Sequence, residues 1–120
     1  MGKEGYQGLR VWRLAVDLTV KIYSICEHGK LARDLGLRDQ MTRAAVSVPS
    51  NIAEGDERQT DKDAIRHFYI AKGSLAELRT QLLIAMRIGY LASTIYEEID
   101  AECAAIGKML GSLIKARSTQ

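Results

Sequence analysis

The sequence predicts an all-α domain, an antiparallel up-down-up-down bundle of four helices with a proline kink in the second. Three observations predict it. Apolar residues return at steps of three and four in four separate stretches, and the connections between those stretches are short. The composition, with one proline, 6% aromatics and many Ala, Leu, Ile, Arg and Glu, favours helix over a β-sandwich or barrel. The 120 residues make one domain, 1–120, with helices expected at about 9–27, 37–58, 61–89 and 94–116.

In the first helix Val11, Leu14, Leu18, Ile22 and Ile25 share a face, and Trp12, Val16, Tyr23 and Cys26 run beside it. That sector is wider than a two-helix seam needs, and the surplus is surface for a partner. His28-Gly29 ends the helix, because glycine adopts the left-handed cap conformation cheaply. A short charged connection from Lys30 to Gly36 follows, with room for a helical turn.

Leu37, Met41, Ala44, Val48, Ile52 and Gly55 form the seam of the second helix, and Pro49 falls inside it. Proline deletes one backbone donor and crowds the carbonyl of Ala45, at a cost of about 3 kcal/mol. A break near Ser47-Val48 and a kinked continuous helix are the two readings. The apolar steps stay in phase across Pro49, which selects the kink.

Thr60 with Asp63 opens the third helix as a capping-box-like pair. Phe68, Ala71, Leu75, Leu78, Leu82, Ala85 and Gly89 form the most regular apolar line in the chain. Gly89 ends it. Thr94-Ile-Tyr-Glu97 reads as the capping box of the fourth helix, whose seam is Ile95, Ile99, Cys103, Ile106, Leu110 and Leu113. Ser118 to Gln120 should fray.

Several chemistries are excluded by what is missing. No CxxC pair, phosphate-binding loop, Rossmann glycine pattern or HExxH motif is present. His28 and His67 follow Ile25 and Ala64 at the spacing where a di-iron bundle requires Glu, so no metal site is expected. His67 reads as a partly exposed helix residue. Cys26 and Cys103 sit in apolar patterns and are expected as reduced thiols, with a bridge across two helices as the alternative. No run of 18 apolar residues suggests a membrane span, and Met1 to Gln7 lacks the apolar stretch of a signal peptide, so a cytoplasmic protein is expected. No catalytic residue or cofactor is assigned.

Two polar lines resist a simple bundle. Ser47, Asn51, Glu54 and Arg58 run close to the seam of the second helix, and Gly73, Ser74, Glu77 and Gln81 cluster on the third. A helix-interior glycine costs about 1 kcal/mol against alanine, so Gly73 needs a reason. The favoured reading is a helix crossing or subunit contact in which these side chains satisfy buried groups, including those disturbed by Pro49. The sharper one makes Glu54 and Glu77 a catalytic carboxylate pair.

Val46-Ser-Val-Pro-Ser-Asn-Ile-Ala-Glu-Gly55, followed by Gly73-Ser-Leu-Ala-Glu-Leu78, resembles the four-helix bundle family of 23S ribosomal RNA intervening-sequence proteins. Leu9-Arg-Val-Trp12 with Ala15, Gly36-Leu37 before Gln40, Arg43-Ala-Ala45, and Gly89-Tyr-Leu91 carry the likeness across the chain. The resemblance implies a homo-oligomer, in particular a pentameric ring. It also implies kinship with the accessory variability proteins of diversity-generating retroelements, which bind nucleic acid. The motif residues Ser47, Asn51, Glu54, Gly55, Gly73, Ser74 and Glu77 form the candidate polar network.

The charge distribution gives limited support to a nucleic-acid partner. Residues 1–50 hold eight Lys/Arg against five acids, residues 51–107 six against ten, and the last thirteen add three cations, for a net +2. Arg10, Arg13, Lys21, Arg38 and Arg43 are the candidate contacts, although Asp17 interrupts them and no stacking aromatic is evident beside them. The expected function is a non-enzymatic oligomeric binding or scaffold protein for RNA or DNA. The alternative is a protein-only adaptor with a protein partner.

Overall fold

The structure, a computed structural model, describes residues 5–118. A 3-10 turn, Gly5–Gly8, leads into five α-helices: α1 Arg10–Ile25, α2 Gly29–Arg33, α3 Leu35–Asp56, α4 Asp61–Arg87 and α5 Ser93–Ser118. No strand occurs among the described residues. Residues 1–4 of the polar N-terminal segment and residues 119–120 of the expected frayed end lie outside them. Ser118 itself is still helical.

α1 packs on α3 and α5, and α4 packs on the same two helices, so the four long elements enclose one core. The molecule measures 46 × 23 × 23 Å, close to the length of α4, whose 27 residues rise about 40 Å. Phe68 of α4 is the largest fully buried side chain, joined by Leu18, Ile22, Met41, Ile52, Leu78, Leu82, Ile99, Ile106 and Leu110. Ion pairs tie neighbouring helices at the surface. Lys21 meets Glu102 at 2.5 Å, and Arg79 holds both oxygens of Asp100 at 2.7 and 3.1 Å.

The ends differ from expectation by physical detail. α3 begins at Leu35 because Asp34 Oδ1 accepts from the Leu37 amide at 3.1 Å, a cap hidden in the charged connection. The connection also folds its own short helix, α2, whose Leu31 is buried. Thr60 caps α4 through the Asp63 amide as expected. At the other end Gly89, at φ +86°, closes a Schellman motif: Tyr90 N–H donates to Ala85 O at 2.8 Å and Gly89 N–H to Met86 O at 3.1 Å. α5 begins at Ser93, so Thr94 lies inside the first turn rather than capping it.

Helix α3 is continuous across Pro49, which removes the reading of two separate rods. On α1 the buried line is Val11, Ala15, Leu18, Ile22 and Cys26. Tyr23 and Val20 are exposed, and Trp12 is half covered by Tyr6, whose ring meets it edge-on at 5.2 Å. The surplus apolar surface of α1 is thus partly consumed by the N-terminal turn. On α5 Ile95 is exposed, and Ile114 replaces Leu113 in the buried line.

Candidate functional site

The polar line on α3 and its counterpart on α4 meet where the two helices cross. Ser47 Oγ and Ser74 Oγ lie 2.7 Å apart. One turn on, Asn51 Nδ2 donates to the Ser47 carbonyl at 2.9 Å and to Ser47 Oγ at 3.1 Å. With its amide nitrogen committed, Asn51 turns Oδ1 toward His67 Nδ1 at 3.1 Å. An oxygen there requires the proton on Nδ1. Nε2 is then the acceptor in the neutral ring, and Arg66 approaches it at 3.4 Å.

His67 is therefore no partly exposed helix residue: it is buried and central to the network. Glu54 Oε1 stands 3.9 Å from the same Nδ1, while Glu54 Oε2 accepts from Arg58 at 2.8 Å. Gly55 lets this crossing close. A Cβ built there would sit 2.7 Å from Phe68 Cε1 and 3.0 Å from His67 Cβ. Gly73 behaves oppositely, because a Cβ there would meet nothing within 4 Å. The close approach expected at Gly73 is absent within one chain.

Farther along the same crossing a groove of about 290 Å³ opens, lined by Gln40, Arg43, Ala44, Ser47, Ser74, Glu77 and Gln81. Arg43 and Glu77 face into it without an ion pair between them. Gln81 is only 7% exposed, yet its Oε1 has no hydrogen-bond partner. It is the sole buried side-chain polar atom among the described residues left in that condition. Glu54 and Glu77 do not meet. Glu77 stands ten residues beyond His67 on α4, about 15 Å of helix rise, at the other end of the network from Glu54.

The remaining chemistry is quiet. Burial pushes the Cys103 thiol up to about 12 and raises that of Cys26, and both are free thiols rather than a bridge. Neither is a nucleophile at neutral pH. No cluster of three metal-ligating side chains occurs among the described residues, and no helix of these residues is long and apolar enough to cross a membrane.

The candidate cations do not form one patch. The hydrogen bond from Glu102, over a smaller opposing effect of burial, raises the affinity of Lys21 for its proton. Arg38 donates to Ala32 O at 3.1 Å and Arg13 to Gln7 O at 3.1 Å. Arg43 belongs to the α3–α4 groove. Arg10 and Arg13 do flank an aromatic, sharing a surface depression of about 390 Å³ with Trp12, Leu14, Val16 and Asp17. The stacking surface that sequence reasoning missed is Trp12.

Residues 7–112 match the family described as 23S rRNA-intervening sequence protein. The chain belongs to this family. Among solved structures, it is similar to a crystallised protein of unknown function from the S23 ribosomal protein family of Bacteroides thetaiotaomicron. The two share 26% identity over 88% of this chain and 98% of the other, with a TM-score of 0.80. No curated protein matches. Both polar motifs fall within the family match, so the α3–α4 crossing belongs to the segment this chain shares with the family.

Proposed function

We propose that the protein is a non-enzymatic, self-assembling scaffold of the cytoplasm, a homopentamer whose ligand is RNA or DNA. In this reading the four long helices alternate up and down, as their short connections favour, and α3 bends at Pro49. The observation that carries it is the outward stripe of α4. Ile70, Ile84 and Ile88 are exposed on the side of the helix that also carries Gly73 and Glu77. Apolar side chains aligned with a helix-interior glycine that has open space beside it suit the approach of another helix. Light scattering tests this directly. A particle of five times 13.3 kDa is expected, and a monomer at about 100 μM, well above the micromolar Kd of even a modest interface, would overturn it.

The nucleic-acid ligand draws support from Arg10 and Arg13 around Trp12, a cation–aromatic combination suited to single strands. The motif's resemblance to the retroelement accessory proteins points the same way. Repetition around a ring multiplies a modest patch through effective concentration. Titration of labelled 23S rRNA fragments should show affinity falling as salt rises, through counterion release. Absence of binding at low salt would leave the protein-only adaptor, a reading favoured by the engagement of Lys21 and Arg38 within the chain and by exposed Val20 and Tyr23.

A further inference from the structure

The α3–α4 groove is unfinished in a single chain. Its α4 wall offers acceptors, the unpartnered Gln81 Oε1 and the Glu77 carboxylate, and its α3 wall offers the Arg43 guanidinium as donor. The two charges balance, so the groove has no call for a net ion. What fits is a neutral group that donates at one end and accepts at the other, which describes a carboxamide or a peptide unit. We propose that a second copy of the chain completes the groove by inserting such an amide group between Arg43 and Gln81. This rests on the self-assembly reading above and names the polar contact that sets its register.

A second copy is the occupant because the groove borders the apolar stripe. Ser74 and Gln81 lie at the edge of the α4 face that carries Ile70, Gly73, Ile84 and Ile88, so a helix seated on the isoleucines covers the groove as well. Open space at Gly73 admits that helix closely. A lone amide in water would have no such apolar anchor, and its hydrogen bonds would only replace those to solvent.

Gln81→Leu, Gln81→Met and Arg43→Met test the assignment by sedimentation velocity. Each is expected to raise the dissociation constant of the assembly at least tenfold. The unfolding midpoint of the dilute monomer should stay the same or rise, because the leucine and methionine remove an unsatisfied buried oxygen. Amide exchange over residues 74–81 should slow when wild-type protein is concentrated through its association range. Wild-type assembly with unaffected variants and unchanged exchange would overturn the groove assignment alone. A wild-type protein that stays monomeric would overturn the assembly reading and this inference with it.

Discussion

Thr19 Oγ1 on α1 lies 3.0 Å from the carbonyl oxygen of Ala45 on α3. Ala45 is the residue whose backbone donor, four positions on, would be the amide that Pro49 lacks. The same hydroxyl lies 2.8 Å from its own Ala15 carbonyl, so one proton is shared between helices. The proline that sequence reasoning set against the polar motif is thus served from the opposite side, by a threonine of another helix.

Thr19→Val keeps the shape and removes the proton donor. It is expected to cost about 1–2 kcal/mol in urea denaturation, the range for leaving a part-buried carbonyl without its partner. Pro49→Ala restores the backbone donor, and in that background the threonine effect should shrink to less than half. Equal effects in both backgrounds would disconnect Thr19 from the proline.

The two motif glycines should respond in opposite directions. Gly55→Ala places a methyl 2.7 Å from Phe68 Cε1, and overpacking of that kind costs about 1–3 kcal/mol. Phe68→Leu in the same chain should recover part of the loss. Gly73→Ala meets open space, so the dilute monomer should gain about 0.5–1 kcal/mol from helix propensity. Chemical denaturation below the association range measures both.

Those glycines show what a sequence can and cannot disclose. The periodic line from Phe68 to Ala85 was legible because each position enters the core. Gly55 and Gly73 were both visible as oddities, but the atom facing each is set by tertiary packing, which separates a crowded site from an empty one. His67 was unreadable for the same reason. Its burial depends on Asn51 and Gly55 arriving from α3, and nothing beside it in the chain announces them. The Asp34 cap was missed because a charged connection disguises a single carboxylate aimed at one amide. Thr19 sat in an apolar stretch, and its partner is a main-chain oxygen with no residue-type signature.

The Cys103 thiol gives a pH prediction. Burial raises it from 9.0 to about 12 in the fold. The native state then holds the proton over a range in which the unfolded chain has released it, so stability falls as pH rises from about 9 toward 12. Cys103→Ala should flatten part of that decline in urea midpoints measured across the range. At pH 8 a thiol-specific disulfide reagent should label Cys103 only on unfolding, with a rate that follows the denaturant curve.

Arg117 closes the molecule at the end opposite α2, beyond the segment that matches the family. Its guanidinium reaches Asp56 at the end of α3 at 2.8 Å and Asp61 at the start of α4 at 3.6 Å, and it lies 5.5 Å from the Phe68 ring centroid. The Asp56 carboxylate is mostly covered, which raises this contact above an ordinary surface pair. The fork of nitrogens allows one side chain to hold two carboxylates while its plane lies near the aromatic ring. Arg117→Ala is therefore expected to cost about 1–2 kcal/mol, in the range of hydrogen bonds to charged groups. Arg117→Lys should restore less than half, because an ammonium is a single point that cannot serve both acids. The loss should shrink in high salt but persist in part, since the contacts with Phe68 and the covered Asp56 are less screened. Equal stability of the alanine and lysine variants would reduce Arg117 to a positive charge near two negative ones, and its geometry would carry no weight.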